Sequence, residues 1–264
     1  MARRLALVTG ASAGIGATFA RSLAAQGHDL ALTARRLDRL DALAAELRER
    51  HGIEVLTLAA DLADPAAPRA LQAALTAEGR TVDLLINNAG YGLPGAFGDN
   101  SWDDQAASLQ VMLTAPCELA HLFLPGMTAR GFGRIVNVSS VAGLVAGGAG
   151  LYGAQKSFLV RFSQSLHLEC AGSGVHVSAL CPGLTWSEFH DVNGMRDALD
   201  SATPAWLWMD AETVVAAGLA AVEANRPVCV PGAVNKTLVL LAQHLPDTWI
   251  MALTASQGWR FRKP

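Results

Sequence analysis

Short apolar runs alternate with longer stretches of helical periodicity along the chain. The runs lack strict alternation of apolar and polar residues, which is typical of strands buried on both faces of a parallel sheet. Between them, in segments such as residues 37–51, leucine recurs at helical spacing with Arg and Glu at the remaining positions. The seven predicted strands cover residues 5–9, 29–34, 54–59, 82–87, 133–139, 175–181 and 227–231.

This repeated order of strand and helix predicts an α/β fold, a doubly wound parallel sheet of seven strands flanked by helices. The sequence has no internal repeat and no linker rich in proline or serine, so we expect a single domain over residues 1–264. Its last part, about residues 234–264, is predicted as a C-terminal helical extension with a break at Pro246. The extension would pack on its own subunit or on a partner; the alternative is contact with a membrane surface.

Composition narrows the range of partners. Hydrophobic residues make up 51% of the chain and charged residues 16%, so a large core can be buried. The formal net charge of -3 provides no positive field for a phosphate backbone, and we expect no nucleic-acid partner. The four cysteines form no CxxC pair and have no His at metal-ligand spacing, so we expect neither a metal site nor disulfide bonds.

Two features of the sequence bear on localisation. The apolar stretch near the N-terminus is far shorter than the roughly 7–15 residues that an export signal needs. No run of about 18 or more apolar residues free of charges and helix breakers occurs elsewhere, so we expect no integral membrane segment. Together with reduced thiols, these features predict a cytoplasmic protein.

A glycine-rich turn, residues 9–16, follows the first predicted strand at once and opens a helix. In such a turn glycines let the backbone approach a pyrophosphate, and the helix N-terminus stabilises its charge. The GxxxGxG spacing of Gly10, Gly14 and Gly16, together with motifs after the later strands, resembles the short-chain dehydrogenase/reductase family. Those motifs are Asp61-Leu62, Asn87-Asn88-Ala89-Gly90, Ser139-Ser140, Tyr152 and Lys156 in YxxxK, and Pro182-Gly183.

The resemblance spans roughly residues 5–232 and implies a Rossmann-like oxidoreductase that uses a nicotinamide cofactor to interconvert an alcohol and a carbonyl. It implies that Asp61 and Leu62 lie against the adenine ring, that residues 88–90 close over the adenosine ribose, and that residues 182–184 face the nicotinamide. Alternatively, Asn87 and Asn88 mainly hydrogen-bond neighbouring strands. The expected cofactor-binding residues are Gly10, Ser12, Ala13, Gly14, Ile15, Gly16, Arg35, Arg36, Asp61, Leu62, Asn88, Ala89, Gly90, Tyr152, Lys156, Pro182, Gly183, Leu184, Thr185 and Ser187.

The end of the second predicted strand favours NADP(H) over NAD(H). An acidic residue about 20 positions after the glycines would bind a ribose 2′-hydroxyl, but this strand is followed by Arg35 and Arg36. A guanidinium can bind a 2′-phosphate through paired hydrogen bonds. Ala13 stands where a common NADP pattern has a basic residue, so the phosphate would depend on Ser12 and the two arginines. The alternative is that both arginines are solvated residues at a helix start.

Tyr152 and Lys156 are four residues apart in a segment of helical periodicity, which places both side chains on one face. A free phenol has a pKa of about 10 and is a poor base at neutral pH, so we expect the neighbouring ammonium to lower the pKa of Tyr152. The resemblance implies that Lys156 also holds the nicotinamide ribose and that Ser140 hydrogen-bonds the substrate oxygen. Ser139 is the alternative, since Ser140 stands one residue closer to the tyrosine than is usual in the family.

One position departs from the family pattern. An Asn usually lies in the helix before the fifth strand, where it bends the helix and holds a water on the proton path from the lysine, and Met112 takes its place here. A thioether cannot donate a hydrogen bond. Either Gln110 or Thr114 carries the water, or the proton relay is slower. Met112 itself is interpreted as filling a gap in the core.

By the resemblance, a lid over the substrate follows the sixth strand, at about residues 184–212. Its aromatic side chains and the apolar residues across the cleft suit a bulky, uncharged, apolar carbonyl compound or alcohol. The residues predicted to form the substrate pocket are Tyr91, Leu93, Val145, Trp186 and Phe189.

The leading hypothesis is an NADP-dependent carbonyl reductase. The alternative is a catalytically weak NADP(H)-binding protein that senses redox state or serves as an assembly subunit, which Met112 and the shortened loop at residues 146–150 keep open. The resemblance also implies a homodimer or homotetramer in which the helices around residues 101–130 and 152–171 pair between subunits.

Overall fold

The computed structural model describes residues 3–146, 150–188 and 203–258. Seven strands form one sheet in the order β3-β2-β1-β4-β5-β6-β7, and every neighbouring pair is parallel. The predicted doubly wound, Rossmann-like fold is therefore confirmed. The strands are β1 Leu5–Thr9, β2 Asp29–Ala34, β3 Val55–Ala59, β4 Val82–Asn87, β5 Gly133–Val138, β6 Val175–Leu180 and β7 Val228–Cys229.

Helices cover both faces of this sheet. The connections that follow β1 to β6 contain at least one helix each, as parallel neighbours require. A five-residue π-helical stretch, Gln110–Thr114, separates α4 from α5. The described helices are α1 Gly14–Ala25, α2 Leu37–His51, α3 Ala67–Ala77, α4 Trp102–Leu109, α5 Ala115–Ala129, α6 Gly150–Glu169, α7 Ala211–Glu223, α8 Ala233–His244 and α9 Asp247–Gly258.

The strands bury side chains in two cores, one on each face of the sheet. In β1, Leu5 and Leu7 point into the core formed with α3, α5 and α6, whereas Ala6 and Val8 point into the core formed with α1, α2 and α7. This explains why the strand pattern is continuously apolar, because neither face of the sheet meets water. Full burial of one leucine contributes about 1.5–3 kcal/mol relative to exposure.

The strand order reverses between β1 and β4, since β1 continues to β2 on one side while β4 continues to β5 on the other. In open α/β sheets the crevice at this reversal, beyond the carboxyl ends of the strands, is where ligands bind. The turn between β1 and α1 and the residues after β4, β5 and β6 all reach this crevice. The candidate site is therefore positioned by the topology of the sheet.

One continuous helical stretch, Trp102–Ala129, is long and apolar enough to cross a membrane by length and composition alone. In the fold its α5 part packs on the sheet, and Leu119, Phe123 and Met127 are buried in the core on that face. Core helices of folded domains meet the same two criteria, so this stretch is weak evidence for a membrane segment.

A chain of buried polar side chains joins the middle strands to α6. Asn87 donates from Nδ2 to Asn137 Oδ1 at 2.8 Å, and Asn137 donates from Nδ2 to Ser163 Oγ at 2.9 Å. Asn137 and Ser163 are fully buried. Buried polar groups are costly unless they are hydrogen-bonded, so this chain ties β4, β5 and α6 into one arrangement.

The Asn137→Ala variant should lower the free energy of unfolding by about 1–3 kcal/mol, because it leaves Asn87 and Ser163 without their buried partner. Urea denaturation followed by circular dichroism measures this change. Replacement of the exposed Gln26 side chain by alanine serves as the control and should change stability by less than about 0.5 kcal/mol. Equal stabilities of the two variants would contradict the role given to the polar chain.

Candidate active site

Helix α6 carries the tyrosine and the lysine at the crevice. The Lys156 ammonium lies 5.5 Å from the centre of the Tyr152 ring, and its Nζ donates to the Val138 carbonyl at 2.8 Å. Lys156 is only 4% exposed. Two of the three residues predicted as catalytic, Tyr152 and Lys156, are thus brought together on one helix face, at the carboxyl end of β5.

The two serines after β5 have different surroundings. Ser139 is buried and donates from Oγ to the backbone carbonyl of Lys156 at 2.7 Å, which fastens β5 to α6. Ser140 is hydrogen-bonded to Tyr152, and its Oγ also accepts from the Ala142 amide at 3.1 Å. The geometry therefore favours Ser140 over Ser139 as the partner of the phenol.

Burial controls the proton affinities of this pair. Burial raises the pKa of Tyr152 to about 12, although the hydrogen bond with Ser140 acts in the opposite direction. Burial also lowers the pKa of Lys156 to about 8. The prediction that the ammonium lowers the pKa of Tyr152 is therefore wrong for this structure, because the loss of solvation on burial outweighs the hydrogen bond with Ser140. At neutral pH the phenol holds its proton.

Met112 lies beside the lysine, within the π-helical stretch. A Cβ on Gly90 would lie 3.1 Å from Met112 Sδ and 3.6 Å from Lys156 Nζ, so the thioether and the ammonium meet at this glycine. Met112 is 1% exposed and belongs to the core cluster on that face of the sheet, consistent with a gap-filling role. Nearby in the chain, Gln110 Nε2 is buried and has no hydrogen-bond partner within the described residues.

The turn between β1 and α1 depends on its glycines. Gly10 and Gly14 have φ of +64° and +52°, a region that favours glycine. Gly16 has no room for a side chain, because a Cβ there would lie 2.3 Å from the Gly10 carbonyl oxygen and 2.5 Å from Asn88 Nδ2. Helix α1 begins after Ala13 with no side-chain cap and no acid in its first turn, so its first amides point into the crevice uncapped.

The residues after β3 and β4 mainly brace the crevice. Asn88 donates from Nδ2 to the Thr9 carbonyl at 2.9 Å and to the Gly10 carbonyl at 3.3 Å. The Thr9 hydroxyl accepts from the amides of Asn88 and Ala89. These contacts favour the alternative in which the asparagines join neighbouring strands. After β3, Asp61 is exposed and Leu62 is buried in the core.

The two arginines after β2 are placed differently. Arg36 donates from Nη2 to Ser12 Oγ at 3.1 Å, which joins the α2 start to the glycine-rich turn. Arg35 is exposed, and its charge acts on the Tyr91 phenol, whose pKa is raised by burial and lowered by this arginine. The structure thus brings Ser12 and Arg36 together and leaves Arg35 on the side of Tyr91.

The segment after β6 lies along the opposite wall. The Pro182 carbonyl accepts from the Val141 amide at 2.9 Å, and Gly183 has no room for a side chain because a Cβ would lie 2.6 Å from the Asn235 amide. Ser187 lies against the glycine-rich turn, with its Cβ 3.0 Å from the position of a Cβ on Gly14. Leu184 and Thr185 pair with the backbone at Met209.

A cleft opens beside Tyr152, between α6 and the loop after β4. It encloses about 310 Å³, including its open mouth. Of the predicted pocket residues, Tyr91 and Leu93 line it, whereas Trp186 stacks on Trp208 at 4.3 Å, Val145 is not among the lining residues, and Phe189 lies outside the described residues. The polar side chains in its wall, which sequence reasoning did not single out, are Asn100, Gln105, Ser108 and Gln155.

Comparison with known proteins identifies the family. A family model described as short chain dehydrogenase matches residues 4–195. The chain belongs to the short-chain dehydrogenase family. Among curated members, the NADP-dependent 3-hydroxy acid dehydrogenase YdfG of Salmonella typhi is 38% identical over 198 residues, which are 73% of this chain and 77% of that protein. The glycine betaine reductase ATRR of Emericella nidulans is 38% identical over 197 residues, which are 74% of this chain and 15% of that longer protein.

Solved members of the short-chain dehydrogenase family share the fold over nearly the whole chain. A short-chain dehydrogenase from Sphingobium yanoikuyae in complex with NADPH is 36% identical, with a TM-score of 0.80, and the match covers 97% of this chain and 94% of that one. The bulky-bulky ketone specific alcohol dehydrogenase from Comamonas testosteroni is 32% identical, with a TM-score of 0.75 and coverage of 97% and 93%.

The residues present fit the dinucleotide that this family uses. The uncapped start of α1 presents backbone amides, and the glycines leave the space that a pyrophosphate needs. Arg36 lies just after β2, where the ribose would be recognised, and it is hydrogen-bonded to Ser12 of the glycine-rich turn. Lys156 and Tyr152 lie at the other end of the same crevice.

Two charged residues beside Arg36, namely Arg39 and Glu188, were not predicted from the sequence. Arg39 lies one helical turn after Arg36, and its spacing alone could have indicated a shared face. Glu188 contacts both arginines from the far wall of the crevice. Because that contact joins residues about 150 positions apart, no local sequence signal reveals it.

The Gly16→Ala variant should weaken dinucleotide binding by about tenfold or more, because its Cβ cannot be accommodated against the Gly10 carbonyl without opening the turn. Isothermal titration calorimetry with NADPH measures the effect. Gly98→Ala provides a control, since a Cβ there meets nothing within 4 Å and should leave the dissociation constant unchanged. Equal affinities of the two variants would refute the close packing at Gly16.

Proposed function

We propose that this protein is an NADP-dependent carbonyl reductase in which Tyr152 supplies the proton. The observation that carries the proposal is the convergence of Ser140, Tyr152 and Lys156 at the dinucleotide crevice of a short-chain dehydrogenase. The alternative of a catalytically weak sensor or assembly subunit is not favoured, because Ser140 is hydrogen-bonded to Tyr152 and the Lys156 ammonium lies 5.5 Å from the centre of the Tyr152 ring.

The state of the phenol supports the reducing direction. Since the pKa of Tyr152 is raised by burial to about 12, the side chain is a proton donor at neutral pH. Ser140 is hydrogen-bonded to this phenol and can hold the carbonyl oxygen of a substrate beside it, where it stabilises the charge that develops on that oxygen. When bound, the nicotinamide supplies the hydride; the chain supplies the proton and the orientation.

Lys156 stabilises the phenolate that forms when Tyr152 gives up its proton. Its ammonium is fixed by the Val138 carbonyl and shielded from water, so its field acts on the phenol with little screening. We also assign to Lys156 the nicotinamide ribose hydroxyls, and to residues 182–184 the nicotinamide side of the crevice. Met112 can donate no hydrogen bond here, and the buried Gln110 amide is the nearby group that a relay water would use.

The cofactor is NADP(H). Arg36 and Ser12 provide donors for a 2′-phosphate, and an acid that would bind a 2′-hydroxyl is missing at the end of β2. The Salmonella relative is named as NADP-dependent and the Sphingobium structure contains NADPH, which supports this choice. The remaining cofactor contacts expected from the sequence stay predictions.

The substrate is an uncharged carbonyl compound with bulk on at least one side of the carbonyl. The cleft beside Tyr152 has Tyr91, Leu93 and Phe97 in its wall, and the Comamonas neighbour is named as specific for bulky-bulky ketones. The buried Gln105 and Gln155 make the cleft less apolar than the sequence indicated. A substrate with one hydrogen-bonding group in addition to the carbonyl would suit it.

We further propose a cytoplasmic homodimer or homotetramer built from one domain per chain. Apolar side chains on the helices expected to pair are exposed, with Trp102 at 66%, Phe158 at 41% and Leu168 at 73%. Exposed leucines on α8 provide a second apolar surface. Contact with another subunit would remove both surfaces from water.

The Tyr152→Phe variant should lose carbonyl reduction by about 10²–10⁴-fold in kcat, since the general acid is removed. NADPH oxidation against aldehydes, aryl ketones, steroids and β-keto acyl compounds provides the assay. Tyr91→Phe is the matched control. It also removes a phenol hydroxyl from the wall of this cleft, and it should retain most of the activity. Full activity of Tyr152→Phe, or tight NADPH binding with no turnover of any carbonyl by the native protein, would overturn the proposal.

The rate of carbonyl reduction should be constant below neutral pH and fall as the pH rises through about 8, where the buried Lys156 loses its charge. Tyr152 stays protonated in that range. The stability of the fold should change in the opposite direction. Folding lowers the pKa of Lys156, so above pH 8 the unfolded chain binds more protons than the folded one. The contribution of Lys156 to the free energy of unfolding therefore rises with pH in that range.

A pH profile of single-turnover reduction, run beside urea denaturation at each pH, separates the two effects. Comparison is cleanest between about pH 8 and 9, below the ordinary thiol pKa of about 9, which folding raises for both Cys117 and Cys181. A rate that rises through this window, or a fall that tracks loss of folded protein, would contradict the assignment to Lys156.

A further inference from the structure

We propose that Glu188 competes with the cofactor's 2′-phosphate for Arg36 and Arg39, and so sets how strongly the protein prefers NADPH over NADH. The inference rests on the proposed use of NADP(H) and adds two residues to that site, Arg39 as a phosphate contact and Glu188 as an internal anion.

The contacts of the Glu188 carboxylate are those that an anion at this position would make. Arg39 Nη1 donates to Glu188 Oε1 at 2.7 Å and to Oε2 at 2.9 Å. Arg36 donates to Oε2 from both Nη1 and Nη2 at 3.3 Å, and its Nη2 also donates to Ser12 Oγ. One carboxylate thus occupies the donors of two guanidinium groups at the end of β2.

Glu188 reaches these donors from the opposite wall of the crevice. Its segment is held by the pairing of Leu184 and Trp186 with the backbone at Met209 and by the stack of Trp186 on Trp208. Ser187, one residue before it, lies against Gly14 in the pyrophosphate turn. The residues just before Glu188 are therefore fixed by backbone and side-chain contacts, which position its carboxylate near the arginines.

Charge and exposure define how strong the competition is. The pKa of Glu188 is lowered by its hydrogen bond with Arg39 and by the charges of both arginines, so the carboxylate stays ionised at neutral pH. The three side chains are 42–44% exposed, and exposed ion pairs of this kind are weak and screened by salt. A phosphate carries more charge and more acceptor oxygens than a carboxylate, so it can displace Glu188 from the arginines. Breaking these ion pairs reduces the net affinity of the protein for NADPH.

The two cofactors differ in what they require of Glu188. NADPH needs the donors of Arg36 and Arg39 for its 2′-phosphate and must displace the carboxylate. NADH has no phosphate there, so both arginines keep their ion pairs with Glu188 when NADH binds. Glu188 therefore penalises NADPH alone.

The test is the affinity of purified Glu188→Gln protein for NADPH and for NADH, measured by isothermal titration calorimetry at low ionic strength. We expect NADPH to bind about three- to tenfold more tightly than to the native protein, with the NADH dissociation constant unchanged within about twofold. The gain should shrink as salt is added, because both the ion pair and the phosphate contacts are screened.

Glu46→Gln is the matched control. Glu46 lies on α2, seven residues and about 10 Å along the helix from Arg39, and it pairs with Arg21 and Arg50. The substitution removes one carboxylate charge from the helix that carries Arg39 without touching Arg36 or Arg39, so it should leave the NADPH to NADH ratio at the native value.

A double variant tests whether Glu188 acts through Arg39. Arg39→Gln alone should weaken NADPH binding and leave NADH binding unchanged, and in this background Glu188→Gln should gain less than in the native protein, since one of its two partners is gone. Glu188→Ala, checked for folding by circular dichroism, replaces Glu188→Gln if the amide itself binds the arginines.

An unchanged NADPH to NADH ratio in both Glu188 variants, an equal gain for the two cofactors, or weaker NADPH binding would overturn the inference. These results leave the proposed function standing as long as the native protein binds NADPH and reduces a carbonyl. A native protein that binds neither dinucleotide refutes the proposed function itself, and the inference with it.

Discussion

The burial of Lys156 is the constraint on which the site depends. Its ammonium donates to the Val138 carbonyl, its own carbonyl accepts from Ser139, and its backbone packs so closely on Gly143 that a Cβ there would lie 2.5 Å from the Lys156 carbonyl carbon. These contacts fix α6 against β5 and against the turn that carries Ser140. The phenol, one helical turn away, therefore has its position and its proton affinity set by the same packing.

The fold follows from the sequence to within a residue or two because burial on both faces leaves a continuous apolar signature. The least accurate prediction is the last strand, predicted at residues 227–231 and observed as Val228–Cys229. Prolines stand on both sides of it, at Pro227 and Pro231, and a proline cannot donate to the sheet. The apolar pattern extends beyond the hydrogen-bonded pairs there, so it overestimates the strand.

The site was predictable where function rests on local backbone and not where it rests on distant contacts. The glycines between β1 and α1 and the spacing of Tyr152 and Lys156 are local features, and the sequence shows both. The pKa of Tyr152 is not local, because it depends on how much protein covers the phenol, and the expected direction was wrong. Glu188 meets Arg39 only after the whole sheet has formed.

The two ends of the crevice differ in how far their positive charges are exposed to solvent, and this difference suits them to different roles. At the catalytic end Lys156 is buried and held by a carbonyl dipole, so its field is little affected by salt and changes only when the group titrates. At the ribose end Arg36 and Arg39 are half exposed, so their interactions are adjustable by salt and by a neighbouring carboxylate. Transition-state stabilisation requires a preorganised electric field, because a fixed charge costs no reorganisation energy when the reaction occurs. Under the proposed function, cofactor exchange requires the opposite, since each turnover must release a cofactor whose 2′-phosphate these arginines would bind, and weak, exposed ion pairs permit that release.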